Sequence, residues 1–415
     1  MQIVADVGGK PGDDCNGFCK YCYFRKVNDI KSFGCSSCLP NTIGCDRCTK
    51  GIAEAGTAFR NPFEVLTEVQ NALMMQPLRG DIKANISGGG DISCYPYLEQ
   101  LTANLNNFSL SSHLGYTSGK GITDAAIADR LINNGVNEVT FTLFADDEKL
   151  RREWVRDKTP EASLKACQTF AENVKLVAAS VIIPGVNDGD VLRESCNSLE
   201  KWGAEGMILM RFANTFNEGL ILGNEPILKD HNSQPIDEFE ALVREIDKEY
   251  KFRVSGTPVC DPGTGGPFAI ARDKNEVFLQ FIKPITGEAT IITSKIAEPY
   301  LSKIFSKIEA PGVNIVAVEK EIACLITKED LETIDLNDLQ DTVLLPGRAF
   351  VHQLDAERIL CSDGKDRLIA RGPDTLSIDG ELSNDLIDEN VIETELEQFN
   401  ELADAINFFG MKIQR

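Results

Sequence analysis

Three cysteines stand in the order Cys15-Asn-Gly-Phe-Cys19-Lys-Tyr-Cys22, a C-x3-C-x2-C spacing. Their thiolates converge within one tight loop, and Gly17 helps the turn. Iron–sulfur clusters kept only for electron transfer normally take four protein ligands. Three ligands leave one iron of a 4Fe–4S cluster open. That iron can chelate the amino and carboxylate groups of S-adenosylmethionine (SAM), and one electron then breaks a sulfur–carbon bond to yield a deoxyadenosyl radical. The competing reading is a three-cysteine zinc site, but zinc ribbons pair two C-x2-C units instead.

A second group follows at once: Cys35-Ser-Ser-Cys38 and Cys45-Asp-Arg-Cys48, two C-x2-C knuckles with six residues between them. Four thiolates at this spacing favour a closed tetrahedral site for one zinc or iron ion. Nothing is left open there, so the expectation is a structural clamp, with an auxiliary Fe–S cluster as the rival. The remaining cysteines, Cys94, Cys167, Cys196, Cys260, Cys324 and Cys361, are scattered and read as buried free thiols.

Repeating strand–helix units must carry these groups. Short apolar runs predict strands over Gln2–Val7, Ile82–Ile86, His113–Thr117, Val139–Phe144, Lys175–Ile183 and Gly206–Phe212. Helical patterns fall between them, near Pro62–Leu73, Tyr97–Asn107, Asp124–Asn133, Pro160–Asn173, Gly189–Trp202 and Ile236–Tyr250. Asn61 stands before Pro62 as a cap. Six such units predict a parallel sheet with right-handed crossovers.

Parallel sheets carry their chemistry at the carboxyl ends of the strands. Ser87-Gly88-Gly89-Gly90-Asp91 lies there after the second strand, three glycines for close backbone approach and an acid for an amine. Gly115-Tyr-Thr117-Ser118-Gly-Lys follows the third strand, with hydroxyls for a ribose or carboxylate. Val181-Ile-Ile-Pro-Gly185-Val-Asn-Asp188 follows the fifth, where Gly185 allows close approach to an adenine.

The pattern changes at Gly256–Pro267, where three prolines and four glycines read as a linker. Beyond it, short strands are expected at Glu276–Ile282, Glu288–Thr293, Val313–Val318, Ala323–Thr327, Arg348–Gln353, Arg367–Arg371 and Thr375–Ile378, with a closing helix at Ile392–Phe409. The expected fold class is α/β. Residues 1–34 and 51–255 form a partial (β/α)6 barrel, 35–50 a four-cysteine metal loop, 256–267 a linker and 268–415 a strand-rich α+β domain.

The net charge of −22, from 42 basic and 64 acidic residues, excludes a general nucleic-acid binder. No apolar run approaches a membrane span, and the amino terminus lacks a basic-then-apolar leader, so a soluble cytoplasmic protein is expected.

The stretch from Cys15 to Cys48, with the Ser87–Asp91 and Val181–Asp188 motifs, resembles methanogenesis marker protein 10, a family of cobalamin-dependent radical SAM methyltransferases. The resemblance covers the whole chain. It implies C-methylation of an arginine side-chain carbon in the alpha subunit of methyl-coenzyme M reductase, in an anaerobic archaeal cytoplasm, with an electron donor as a second partner. It implies Cys15, Cys19 and Cys22 as ligands of the 4Fe–4S cluster. It also implies Gly88, Gly89, Gly90 and Asp91 as SAM contacts, and Cys35, Cys38, Cys45 and Cys48 as ligands of one ion, iron rather than zinc. Tyr23 would ligate the open iron when SAM is absent; its plain alternative is a packed aromatic. Cobalamin is expected in the C-terminal domain. The D-x-H-x-x-G motif is missing, however, and His113, His231 and His352 are the chain's histidines.

This chemistry suits the parts. SAM alone methylates nucleophiles, and a saturated arginine carbon is not one. A radical that removes hydrogen from that carbon, followed by methyl transfer from methylcobalamin, solves the problem. An arginine substrate needs carboxylates. Asp146, Asp147, Glu153 and Asp157 are near strand ends, and Glu153 and Asp157 rank first because Trp154 beside them can stack on a guanidinium. The alternatives are a radical SAM enzyme of another peptide- or cofactor-modifying class without cobalamin, a non-enzymatic Fe–S or zinc assembly partner, and a nucleic-acid methyltransferase, which the charge disfavours.

Overall fold

The computed structural model describes residues 2–26, 58–75, 82–220, 226–258, 261–265, 268–373 and 388–411. The four-cysteine group Cys35, Cys38, Cys45 and Cys48, Cys260, and the strand expected at Thr375–Ile378 lie outside the described residues. The described residues divide into two compact units. The first draws on Met1–Lys26, Glu54–Phe212 and Ile227–Val254, the second on Ala213–Pro226 and Ser255–Arg415.

In the first, seven strands lie side by side in sequence order in an open sheet: β1 (Gln2–Asp6), β2 (Lys83–Ser87), β3 (Ser111–Thr117), β4 (Val136–Thr142), β5 (Lys175–Ile182), β6 (Gly206–Arg211) and β7 (Arg253–Thr257). Neighbours from β1 to β6 pair in parallel. The chain returns through α1 (Pro62–Met75), α2 (Leu98–Asn107), α3 (Ile127–Asn133), α4 (Pro160–Asn173), α5 (Gly189–Trp202) and α6 (Ile236–Glu249). Local chemistry sets the helix ends. Asn61 Oδ1 accepts the Phe63 N–H at 2.9 Å to start α1, and Gly203, at φ 88°, ends α5. β5 buries Leu176 to Ser180 in an unbroken run, as a central parallel strand does. The six expected strands are all present, and β7 is an addition. Its run Arg253–Thr257 falls across the expected boundary and was too short to separate from the linker.

The second unit holds a smaller sheet of β8 (Ala289–Ser294), β9 (Val313–Val318), β10 (Thr342–Leu345) and β11 (Leu368–Arg371), in the spatial order β11-β10-β8-β9. All its pairs are parallel. Helices α7 (Glu298–Lys307), α8 (Lys328–Leu331), α9 (Gln353–Leu360) and α10 (Asp388–Phe409) accompany it. Ile304, Phe399 and Ile406 form one core with Ala289 and Leu344. Leu331, Val343 and Leu360 form another.

Three expected strands here are corrected. Glu276–Ile282 belongs to a 3-10 helix, Asp273–Phe281, with Leu279 and Ile282 buried three residues apart and Val277 and Phe281 exposed. Ala323–Thr327 is a 3-10 turn leading into a capping box, in which Thr327 and Asp330 start α8. Arg348–Gln353 is a loop whose His352 caps α9, and it keeps only an isolated bridge from Phe350 to Thr327.

Candidate functional site

The loops that carry chemistry all leave the carboxyl ends of the first sheet. The cysteine loop follows β1, the glycine loop β2, and Thr117 to Lys120 close β3. Register keeps these ends level, with Asp6 beside Ser87 and Ile86 beside Leu114. A register shift between Leu114 and Thr117 re-aims the end of β3.

Backbone packing locks the first two loops together. A Cβ on Gly88 would overlap the carbonyl oxygen of Gly8. The glycines expected to approach a ligand therefore also let one loop lie on the other.

Asp91 joins the second loop to the third. It is buried, and its Oδ1 accepts from Ser93 N (2.9 Å), Ser93 Oγ (2.6 Å) and Thr117 Oγ1 (3.2 Å). Its Oδ2 accepts from Ser118 N at 3.1 Å and from Ser118 Oγ. The carboxylate expected to take a substrate amine is thus the knot that gathers Thr117 and Ser118. Gly185 is not part of it: its N–H donates to Asp188 Oδ1 at 2.9 Å in a separate turn after β5.

Cys15, Cys19 and Cys22 sit in the loop after β1, all partly buried. Burial pushes the Cys15 and Cys19 thiols up, while the Lys120 ammonium pulls both down. Cys22 is pushed up to about 12 by burial and by the Cys19 and Cys15 charges. Among the described residues no three metal-ligating side chains gather as ligands of a single ion do. Cys15, Cys19 and Cys22 form a three-thiol donor set in one loop, of the kind that would hold a 4Fe–4S cluster, whose binding would displace the thiol protons.

One element of the first unit holds this loop in place. The helical turn Glu148–Leu150 runs into a single π turn, Arg151–Val155. Such turns recur at functional sites because they free backbone groups. Trp154 O accepts the Lys20 N–H at 2.8 Å, and Val155 O accepts from Cys19 Sγ at 3.4 Å. Arg151, fully buried, donates to Leu143 O (2.5 Å), Thr142 O (3.2 Å) and Ser118 O, tying the ends of β3 and β4. It also pairs with Asp157 Oδ2 at 2.9 Å. Tyr21, between two of the cysteines, stacks on Phe144 with centroids 5.1 Å apart and 7° between planes. Phe144 stacks in turn on Trp154 at 6.1 Å. Phe144 holds φ 63°, a left-handed conformation rare for an aromatic residue. The Tyr21 hydroxyl is buried beside Cys19 without a well-formed hydrogen bond, and burial holds its pKa well above the usual value.

The acids expected to bind an arginine side chain each have a partner within the protein. Asp157 is 1% exposed, and besides Arg151 it binds Ser163 Oγ and the Thr159 N–H. It has no face for a substrate guanidinium. Glu153 is exposed and paired with Lys20 at 2.5 Å, and Trp154 is buried in the aromatic stack. Asp146 accepts from Ser198 Oγ, and Asp147 caps the turn at Leu150. Tyr23 opens a 3-10 turn, Tyr23–Lys26, is 42% exposed, and touches Phe24 at 4.4 Å.

Sequence reasoning missed Arg151, Lys120 and Cys94. Lys120 is 4% exposed, and the Cys94 thiol is raised by burial and by the charges of Asp91 and Cys15. For Lys120 the signal was its place between two glycines at a strand end. Cys167 and Cys196 are buried as expected, while Cys94, Cys324 and Cys361 are only partly so. In the second unit, His352 Nδ1 accepts the Leu354 N–H at 3.1 Å and serves as a helix cap. No helix of the described residues is long and apolar enough to cross a membrane.

Residues 10–193 match the family model of the radical SAM superfamily. No curated protein matches the sequence. Streptococcus suis SuiB bound to precursor peptide SuiA is similar in fold, with TM-score 0.41, 13% identity, and cover of 64% of this chain and 50% of that one. A radical SAM methyltransferase from Sphaerobacter thermophilus gives TM-score 0.32 and 17% identity, covering 52% of this chain and 63% of its own. TsrM from Kitasatospora setae, a radical SAM methyltransferase with tryptophan and a SAM analog bound, gives 0.30 and 14%, covering 42% and 34%. The chain thus spans about half the length of SuiB and a third of TsrM.

Proposed function

With residues 10–193 forming a radical SAM domain, we propose that the protein is a cobalamin-dependent methyltransferase that C-methylates an arginine side chain in the alpha subunit of methyl-coenzyme M reductase. The observation that carries the radical half is the single loop of Cys15, Cys19 and Cys22, packed by its backbone against the glycine loop and the Asp91 knot at the carboxyl edge of the sheet. The resemblance of Cys15–Cys48 to methanogenesis marker protein 10 supports the methyltransferase half and its protein substrate.

The second sheet supports cobalamin. Counted from β8, its strands run 2-1-3-4, an order in which ligands bind where neighbouring connections part, outside the ends of the first and third strands. Here those are β8 and β10, and the loops from Ser294 and from Pro346 would hold the cofactor. In the second of these loops His352 uses Nδ1 to cap α9.

The cluster with SAM would supply a radical able to take hydrogen from an unactivated carbon, and cobalamin the methyl group. The chain's own work is shelter and position. Cys15, Cys19 and Cys22 hold the cluster. Tyr21, Phe144 and Trp154 keep water from it. Arg151 fixes the ends of β3 and β4, and with them Ser118.

The test is an anaerobic assay with reductant, SAM and a synthetic arginine peptide from the reductase alpha subunit, with and without methylcobalamin. The expected result is a peptide heavier by one methylene and free deoxyadenosine, both lost on Cys15→Ala. Deoxyadenosine without methylation would retain the radical SAM chemistry and discard the substrate or cobalamin; neither product would overturn the whole reading.

A further inference from the structure

Lys120 is a buried cation that pairs with no carboxylate of the described residues. Its side chain reaches from the end of β3 into the cysteine loop, where Nζ donates to Gly17 O at 2.5 Å and lies 3.6 Å from Cys19 Sγ. Its own carbonyl accepts from Asn16 Nδ2 at 3.3 Å, so backbone and side chain both grip that loop. Among the described residues no carboxylate pairs with it. Asp91 already takes five donors from Ser93, Thr117 and Ser118. A buried ammonium is expensive unless a negative partner compensates it.

The backbone is built to deliver this side chain. A Cβ on Gly121 would overlap the Ser93 carbonyl oxygen, so the chain passes Ser93 as only glycine permits and sets Lys120 in place. The Gly121 N–H also donates to Ser93 Oγ at 3.0 Å. The lysine is therefore placed by the Asp91 knot and aimed at the cysteines.

We propose that Lys120 is a positioning residue for the cluster: its ammonium holds Gly17 O, donates an N–H···S hydrogen bond to the Cys19 thiolate, and thereby raises the cluster's reduction potential. This rests on the radical SAM reading and deepens it. Hydrogen bonds to ligand sulfurs and nearby charge are among the levers that set Fe–S potentials. The positive charge favours the state with one more electron, which an external reductant supplies. Lys120 transfers no proton and makes no covalent bond.

The experiment is an EPR-monitored redox titration of the reconstituted full-length protein without SAM, for wild type, Lys120→Met, Lys120→Gln and Lys120→Arg, with dithionite as reductant. Iron content and circular dichroism are read on the same samples. Lys120→Met should shift the midpoint negative, so that the reduced-to-oxidised ratio at the wild-type midpoint falls about tenfold, equivalent to about 59 mV for one electron. Lys120→Arg should recover most of it. If both uncharged variants fold but fail to load iron, Lys120 serves assembly of the site and not its potential, and the proposal is overturned. An unchanged midpoint with full iron in Lys120→Met overturns the proposal, whether or not SAM binding weakens. Loss of fold in all three variants also overturns it, as a purely structural role would. A wild type with no 4Fe–4S signal would sink the proposed function itself, a different failure from an unchanged midpoint.

Discussion

The two units differ in how they treat one buried cation. Among the described residues of the second unit, the fully buried cations Arg367 and Lys320 each have a carboxylate close in sequence. Arg367 forks onto Asp363 at 2.7 Å through both nitrogens and also binds Leu360 O and Leu336 O. Lys320 sits 3.5 Å from Asp330 and donates to Phe216 O at 2.5 Å, with its pKa pushed down to about 8 by burial. These charges tie turns together, each against its own carboxylate. In the first unit Arg151 likewise has Asp157, but Lys120 has only a carbonyl and a thiol. Buried charge that is locally paired is architecture; buried charge left over at the carboxyl edge marks where an anionic group belongs.

Removing a thiol tests this contrast most severely. Cys15→Ala should reduce deoxyadenosine formation to background and abolish the cluster's visible absorption, with the fold retained by circular dichroism. Breaking an architectural pair should act on stability instead. Arg151→Met leaves Asp157 buried and unpaired, with an expected loss of about 3–5 kcal/mol in denaturant unfolding. If Arg151→Met costs nothing, the division between paired and leftover charge fails. Gly88→Ala forces the loops after β1 and β2 apart, with a cost of about 1–3 kcal/mol and weakened SAM binding by calorimetry.

A smaller effect sits in the second unit. Burial holds Glu395 up to about 7, although the Ile270 and Ala269 N–H groups pull it down. A carboxyl raised on folding binds its proton more tightly folded than unfolded. Its contribution is therefore full below the ordinary carboxylate range and lost as pH rises through about 7. Wild-type melting temperature should drop by a few degrees from about pH 6 to about pH 8, and Glu395→Gln should flatten that slope. Smallest of all, Glu153→Ala, at an exposed pair with Lys20, should leave both melting temperature and deoxyadenosine formation unchanged within error.

Much of the first sheet was legible because its strands are apolar runs bounded by helices with clear signals, such as Asn61–Pro62 and Gly203. The cysteine spacing and Gly88–Asp91 were legible for the same local reason. The partners of buried charges were not. Asp157 was read as a free acid because its cation stands six residues away across a π turn, a spacing no helical period suggests. Lys120 looked like an ordinary loop lysine, since its burial depends on contacts across 101 and 103 residues of sequence. In the second unit Val277 and Phe281 imitate a strand, but Leu279 and Ile282 turn inward with the period of a 3-10 helix.

The overlap of Gly8 and Gly88 has a consequence for inheritance. Because neither backbone tolerates a side chain on Gly88, the loops after β1 and β2 cannot drift independently; an insertion in one must be answered in the other. A graft of the cysteine loop alone into a foreign barrel would carry half of a joint. Transplanting residues 7–26 together with 87–94 is the smallest exchange that moves the hinge pin along with both leaves.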